Sequence, residues 1–297
     1  SPRWIAAMGG WENPDTAERF AQYAHVAARA LAGGFDWACT MNEPNAQVTS
    51  KVMVRDKPWD KEPTILAQAA KAVGSDRWGS YFLGNPYKVR DVCLAAHRKG
   101  RAAIKAVAPG VRVGLTLALQ DLKAGPGGEA LYRRVWDETR LPFYEAARDD
   151  DFIGVQTYHR GRVGPEGYLP NQGSTMLDSW GRDASPEALA AVAEEAHRAT
   201  GRPVFVTEHG INAFDDGLRV RHLRASLDHL AQRIDAGLPV LGYCHWSLLD
   251  NFEWSSGYAP RFGLVAVDRK TFKRTAKPSL SAYRASIARL RARHRWA

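Results

Sequence analysis

The chain has 297 residues, of which 45% are hydrophobic and 25% charged, a composition typical of globular proteins with a large core in one domain or two. No apolar stretch approaches the roughly 18 residues of a membrane span, so we predict no membrane partner. The formal net charge is +9, but the arginines are spread along the chain and their densest run, residues 284–295, has the pattern of a solvated amphipathic helix, so we predict no nucleic-acid partner.

Short apolar runs typical of β-strands alternate with Ala-rich segments of helical periodicity. In chain order they are helix 16–31, strand 35–40, helix 89–107, strand 111–117, strand 152–157, helix 185–199, strand 203–207, helix 218–236, strand 240–246 and helix 284–295. This alternation predicts parallel strands joined by crossover helices. Because the runs are apolar on both faces, we expect helices to cover the sheet.

Two arrangements satisfy this alternation, an open doubly wound sheet and a (β/α)8 barrel. The first usually carries a GxGxxG signature after a strand, and that signature is missing here. The barrel is favoured because polar or aromatic side chains follow four of the strands, at the end where a barrel places its active site. These side chains are Asn42, Glu43, Gln156, Tyr158, Glu208, His209 and Trp246. The sequence therefore predicts the α/β class and a (β/α)8 TIM barrel, as a single domain over residues 1–297.

Two long segments, residues 44–86 and 250–277, show no regular pattern. The second is rich in aromatic and charged residues. Loops of this length in a compact enzyme form a binding rim or are partly disordered.

The cysteines are few, odd in number and without the spacing of a metal site: Cys39, Cys93 and Cys244. This pattern favours a reducing compartment over a disulfide framework, and we predict a cytoplasmic protein. The nine histidines form no HxxxH motif or Cys/His cluster, so we predict no metal.

Two glutamates occupy equivalent positions directly after predicted strands, Glu43 and Glu208. A single glutamate at such a place is usually a solvated loop residue, but a barrel brings strand ends that are distant in sequence around one pocket. A carboxyl pair is what glycoside hydrolysis requires, one group as acid and the other as nucleophile or base. The carboxyl groups lie roughly 5–5.5 Å apart in retaining enzymes and about 6.5–9.5 Å apart in inverting ones.

Three motifs stand out: residues 40–44 are TMNEP, residues 207–210 are TEHG, and residues 246–254 are WSLLDNFEW. Together they resemble glycoside hydrolase family 1. The first resembles the family's Asn-Glu-Pro motif on the fourth barrel strand, the second its Thr-Glu-Asn-Gly motif on the seventh, and the third matches the signature after the eighth strand almost letter for letter. The resemblance implies a retaining β-glycosidase that acts on a small-molecule β-glucoside or related non-phosphorylated β-glycoside through a covalent glycosyl-enzyme intermediate, without a cofactor.

The resemblance also implies roles for individual residues. Glu43 would be the acid/base, with its pKa raised so that it starts protonated, and Glu208 the nucleophile, kept ionised. Asn42 would bind the sugar 2-hydroxyl, and Tyr158 would hydrogen-bond the nucleophile. The remaining predicted substrate contacts are Gln156, the stacking platform Trp246, and Glu253 with Trp254 on the glycone hydroxyls.

The sequence departs from the family pattern at two of these places. Gln156 stands where the family usually has Asn and keeps an amide with a longer reach. His209 replaces the usual Asn after the nucleophile. It is either a structural substitute or a positive neighbour that shifts the pKa of Glu208.

The resemblance begins after the family's third strand, so that only strands four to eight are recognisable and the barrel is predicted to be incomplete. Open strand edges pair with other chains unless they are covered. We therefore expect an oligomer or a complementing chain at these edges, or a chain that is part of a longer enzyme. The alternative function is a catalytically impaired carbohydrate-binding or scaffold protein derived from the enzyme.

Overall fold

A computed structural model describes residues 1–53, 62–171 and 173–294. The strands are β1 Trp37–Asn42, β2 Arg112–Ala118, β3 Asp121–Ala124, β4 Phe152–Thr157, β5 Arg160–Gly164, β6 Gly167–Tyr168, β7 Val204–His209, β8 Val240–His245, β9 Val265–Val267 and β10 Arg274–Ala276. The helices are α1 Arg3–Ala7, α2 Asp15–Ala30, α3 Ala46–Met53, α4 Glu62–Ala72, α5 Pro86–Val107, α6 Glu129–Val135, α7 Leu141–Ala146, α8 Ala188–Thr200, α9 Asp216–Asp235 and α10 Pro278–Arg293.

All five predicted strands are present, as β1, β2, β4, β7 and β8. The predicted bounds of β4 agree at both ends, and those of the other strands differ by one or two residues. The prediction of an irregular segment over residues 44–86 is partly wrong, because this segment contains α3 and α4; its residues 54–61 lie outside the described residues.

Polar caps explain why two helices begin before their predicted starts. The Asn85 side chain accepts hydrogen bonds from the N–H groups of Tyr87 and Lys88 at the start of α5. Asp215 caps α9 in the same way. Such caps satisfy N–H groups that have no partner inside the helix, and apolar periodicity shows nothing of them.

The chain divides into two compact units. The first comprises residues 1–118, 126–153 and 164–167, and the second comprises the remainder of the chain. The single domain over residues 1–297 stays a prediction.

In the first unit, β1 pairs in parallel with β2, and α2 packs along α5. Small residues allow this close approach: Ala24 and Ala28 of α2 share a buried cluster with Ile104 of α5 and with Val113 of β2. Gly100 lies so close to the Phe20 ring that a Cβ atom there would be 2.6 Å from it. These contacts fix α2 and α5 against β2, which pairs with the strand that leads to Glu43.

In the second unit, β7 pairs in parallel with β8, and α9 packs on α8 and α10. The buried side chains Val204, Val206, Leu223 and Leu227 form its interior. The parallel strands follow one another in the order β1, β2, β4, β7, β8, and β4 is divided between the two units. This order of parallel strands confirms the predicted α/β class.

Among the described helices, none combines the length and apolar character that crossing a bilayer requires.

Candidate active site

The end of β1 carries a shift in strand register directly before Glu43. Cys39 lies opposite Gly114 and Asn42 opposite Thr116, so that β1 advances three residues while β2 advances two. An extra residue of this kind bends a strand and redirects the side chains that follow it. Glu43 then adopts φ +50°, a left-handed conformation uncommon for residues other than glycine.

Neighbouring groups hold the main chain at Glu43. Its N–H donates to the Thr116 carbonyl at 3.1 Å, and its carbonyl accepts from the Tyr81 hydroxyl at 2.7 Å. Two residues on, the buried Asn45 amide donates to the Ala118 carbonyl at 2.7 Å and accepts from the Ala118 N–H at 2.9 Å. Burial raises the pKa of Tyr81 well above its ordinary value, so its hydroxyl stays a donor.

A buried polar network lies behind β1. Thr40 Oγ1 and His97 Nδ1 are 2.8 Å apart, and His97 Nε2 lies 3.3 Å from Asp150 Oδ2. Arg101 Nε lies 3.2 Å from the other carboxylate oxygen, Oδ1. Burial raises the pKa of Asp150, while His97 and Arg101 act to lower it. The network ties β1, α5 and the start of β4 together.

The end of β7 carries the same kind of register shift. Val206 lies opposite Tyr243 and His209 opposite His245, so that β7 advances three residues while β8 advances two. Glu208 lies within this extra step. The Thr207 hydroxyl donates to the Val155 carbonyl at 3.2 Å. This bond holds the irregular step of β7 to β4, the neighbouring strand on the side away from β8.

Each carboxylate oxygen of Glu208 accepts a hydrogen bond. Gln156 Nε2 donates to Oε1 at 2.9 Å, and the Tyr158 hydroxyl donates to Oε2 at 2.5 Å. Burial raises the pKa of Glu208, the bond from Tyr158 lowers it, the nearby Glu253 raises it, and the bond from Gln156 lowers it. The net direction is upward, because a partly buried carboxylate is desolvated. That Glu208 is kept ionised stays a prediction.

The segment after β8 brings together two more of the predicted site residues. Trp246 Nε1 donates to a Glu253 carboxylate oxygen at 3.1 Å. Burial raises the pKa of Glu253, and this hydrogen bond lowers it. The Trp246–Ser247 peptide bond is cis, and Trp254 is exposed with φ +49°.

His209 is a neutral, buried side chain. Burial lowers its pKa well below the ordinary value, and the neighbouring His222 and His245 lower it further. An uncharged imidazole is no positive neighbour for Glu208. Of the two interpretations of His209, the structure therefore supports the structural one.

The sequence did not single out Tyr81, Asn45 or Trp180. The Trp180 ring packs on Phe262 at 5.6 Å between ring centroids, and Phe262 packs edge-on to Tyr158 at 5.7 Å. Nothing in the local sequence marks these residues, because their partners are distant along the chain.

The structure therefore brings Gln156, Tyr158 and Glu208 together and pairs Trp246 with Glu253, all in the second unit. Asn42 and Glu43 lie at the end of β1 in the first unit. Within residues 1–53, 62–171 and 173–294, no three His, Cys, Asp or Glu side chains are arranged to hold a metal ion.

Comparison with known proteins gives concordant results. The sequence model of Glycosyl hydrolase family 1 matches residues 164–291. Beta-glucosidase A of Thermotoga maritima is 34% identical over 331 residues, which cover 94% of this chain and 69% of that protein. Galactolipid galactosyltransferase SFR2 of Arabidopsis thaliana is 28% identical over 282 residues, which cover 90% of this chain but only 43% of that protein.

Among solved structures, the crystal structure of the beta-glycosidase BGL167 has a TM-score of 0.90 and 38% sequence identity, covering 98% of this chain and 71% of that one. This similarity confirms the predicted barrel fold in its incomplete form. At these levels of identity and coverage, the chain belongs to glycosyl hydrolase family 1.

Proposed function

We propose that this protein hydrolyses β-glucosides or related β-glycosides with retention of anomeric configuration. The observation that carries the proposal is Glu208, a carboxylate at a strand end with each oxygen held by one donor, Tyr158 or Gln156. A nucleophile held in this way loses little conformational freedom as it attacks.

In the first step, a Glu208 oxygen attacks the anomeric carbon and the bond to the leaving oxygen breaks. Glu43 gives its proton to that oxygen, because an alkoxide is a poor leaving group. In the second step, the Glu43 carboxylate takes a proton from water, and the water oxygen displaces Glu208 from the anomeric carbon. Two displacements at one carbon give net retention.

The other residues have binding roles in this proposal. Asn42 binds the 2-hydroxyl, whose hydrogen bond strengthens in the transition state. Trp246 stacks on the sugar, and the Glu253 carboxylate, oriented by the Trp246 N–H, accepts hydrogen bonds from glycone hydroxyls, to which the Trp254 N–H donates. The related proteins named β-glucosidase and β-glycosidase support a neutral β-glycoside as the substrate.

Labelling with an aryl 2-deoxy-2-fluoro-β-glucoside tests the nucleophile. The fluorine slows both steps, and a good leaving group lets the intermediate accumulate. Mass spectrometry of the intact protein and its peptides should show one fluoroglucosyl group, on Glu208. Glu208→Gln should remain unlabelled, while the matched variant of an exposed glutamate, Glu145→Gln, should label like the wild type. A label elsewhere, or none, would refute the assignment.

Rescue by azide tests both carboxylates in one design. With an activated aryl glucoside, Glu208→Ala plus azide should form the α-glucosyl azide, since a single displacement inverts the centre. Glu43→Ala plus azide should form the β-glucosyl azide, since azide then attacks the glucosyl-enzyme. The opposite pair of products would reverse the two roles.

A second candidate is transfer of the glycosyl group to a sugar hydroxyl instead of water. The similarity to a protein named galactolipid galactosyltransferase favours it. Product analysis with a glucoside or galactoside donor and added acceptor sugars distinguishes the two, because transfer yields a disaccharide at the expense of free sugar. Binding of glucoside by folded protein with neither product would support the carbohydrate-binding alternative.

The prediction of a partner chain and the prediction of a cytoplasmic location are proposals as well. An oligomer or complementing chain at the strand edges is tested by sedimentation of the protein with and without a glucoside. A cytoplasmic location is tested by fractionation of the source cells.

A further inference from the structure

A layer of polar rings lies behind the end of β7, with two buried histidines, His209 and His222, and two half-buried rings, Tyr243 and His245. We call it the histidine–tyrosine cluster and define it as His209, His222, Tyr243 and His245. His209 Nδ1 lies 2.8 Å from the Tyr243 hydroxyl, which is also 3.3 Å from His245 Nδ1. The rings of His209 and His222 stack at 4.9 Å with 17° between their planes.

Glu208 and His209 are adjacent residues of β7, and adjacent residues of a strand point to opposite faces. On one face, Glu208 meets Gln156 and Tyr158. On the other, the His209 ring meets α9 through His222, and β8 through Tyr243. A displacement of His209 therefore moves Glu208.

The contacts of His209 fall where the strand pairing is irregular. Between Val206 and His209 the regular register with β8 is interrupted. The pairing resumes at His209, whose carbonyl accepts from the Trp246 N–H at 2.9 Å. The Tyr243 hydroxyl holds the side chain of the same residue. The irregular step of β7 that contains Glu208 therefore ends at His209, which one main-chain and one side-chain hydrogen bond hold to β8.

We propose that Tyr243 and His209 are positioning residues: their hydrogen bond closes the irregular step of β7 and so sets the position of the Glu208 carboxylate for attack. This inference rests on the proposed function. It goes beyond it by assigning a role to a pair whose side chains contact α9, α10 and each other. Tyr243 acts through His209, and His209 acts through the main chain.

The pair is surrounded by several ionisable groups. They are Glu208 on β7, His222 and Arg219 on α9, Cys244 and His245 on β8 and Tyr283 on α10. Burial lowers the pKa of His222 to about 4 and that of His245 to about 3, and it raises the pKa of Tyr243. At neutral pH the rings are uncharged, so the pair acts through geometry.

The test compares Tyr243→Phe with Tyr283→Phe. Both remove one hydroxyl from a tyrosine in this layer, but Tyr283 contacts the Tyr243 carbonyl and the rings of Tyr243 and His245 rather than His209. Inactivation by the fluoroglucoside gives a rate constant for attack, a dissociation constant and, by mass, the fraction of active protein. These three quantities separate misplacement of Glu208 from loss of folded protein.

For Tyr243→Phe we expect an attack rate constant about tenfold lower, with full labelling and an unchanged dissociation constant. The acid limb of the pH dependence of attack should also move to higher pH, because a displaced Glu208 loses part of the hydrogen bonding that favours its ionised form. Tyr283→Phe should match the wild type in all these measurements. A purely structural role would lower the labelled fraction without moving the acid limb.

Variants of His209 make the test independent of Tyr243. In the His209→Asn variant, an amide atom lies near the position of Nδ1 and can hydrogen-bond the Tyr243 hydroxyl. In the His209→Leu variant, no polar side-chain atom is left to do so. We expect the rate constant for attack by Glu208 to be higher in the His209→Asn variant than in the His209→Leu variant. Equal rates in these two variants, or an equal loss in Tyr243→Phe and Tyr283→Phe, would overturn the inference. Failure of the wild type to label would instead overturn the proposed function, and this inference with it.

Discussion

The ends of β1 and β7 are built on the same irregularity, an extra residue directly before or at a glutamate. They are held differently. At β1, the hydrogen bonds from Tyr81 and to Thr116 act on main-chain atoms of Glu43. At β7, the bonds from Gln156 and Tyr158 act on the carboxylate oxygens of Glu208.

The donors on both oxygens of Glu208 suit its proposed role. A nucleophile must present one oxygen along one line of attack, and donors on both oxygens restrict its rotation. An acid/base group must instead exchange a proton with two partners, a leaving oxygen and a water. The comparison therefore predicts that substitutions at the two strand ends fail in different ways.

The largest expected effects are those at the two carboxylates. Glu43→Gln would remove the proton donor and keep the shape. Hydrolysis of an alkyl β-glucoside should fall by about 10²- to 10⁴-fold. Attack on a dinitrophenyl glucoside should fall far less, since that leaving group needs no proton. Steady-state and pre-steady-state kinetics with both substrates measure the difference.

The matched variant is Glu208→Gln, whose activity on the alkyl and the dinitrophenyl glucoside should be lost to the same extent. A uniform loss in Glu43→Gln as well would break the comparison, because it would show that Glu43 does more than transfer a proton.

The next effect concerns acid stability of the β7 end. Burial lowers the pKa of His222 to about 4 in the folded state, below its ordinary value of 6.5. The unfolded chain therefore binds more protons between these values, so stability is complete above about pH 6.5 and falls as pH drops towards 4. This single group contributes about 3 kcal/mol to the decline.

Urea unfolding between pH 4 and 7 checks this effect. His222→Phe keeps a ring against His209 and does not titrate, so its unfolding free energy should depend less steeply on pH. The more exposed His229 of the same helix provides the comparison variant His229→Gln, which removes a histidine that is not buried. Parallel curves for all three proteins would contradict the prediction.

A smaller effect is expected from Tyr158→Phe, which would remove one donor from Glu208. The pKa of Glu208 should rise further, because this bond is the strongest influence that lowers it. The acid limb of the activity profile should move to higher pH, and the attack rate should fall by about 10- to 100-fold. An unchanged acid limb would show that Tyr158 does not bear on the ionisation of Glu208.

The smallest effect is expected at β1. Asn45→Ala would remove two hydrogen bonds to Ala118 and should lower the free energy of unfolding by about 1–2 kcal/mol. Asn171→Ala is the control, since Asn171 is exposed and donates one bond to the Gly181 carbonyl. If both variants unfold at the same urea concentration, the Asn45 bonds do not stabilise the loop that carries Glu43.

Much of the fold and part of the candidate site were predictable from the sequence. Apolar runs and helical periodicity are local patterns, so they located the strands of the five-stranded sheet and the main helices. The motifs around Glu43 and Glu208 and the run from Trp246 to Trp254 are local as well, and they identified the family.

Only the tertiary structure decided how these residues are held, because the holding groups come from elsewhere in the chain. Tyr81 lies 38 residues from Glu43, and Gln156 lies 52 residues from Glu208. The same holds for His209: the sequence allowed a charged or an uncharged ring, and burial beside His222 and Tyr243 makes it uncharged. Local patterns of residue type specify strands and helices, whereas desolvation and hydrogen bonding at a site depend on the neighbours that folding supplies.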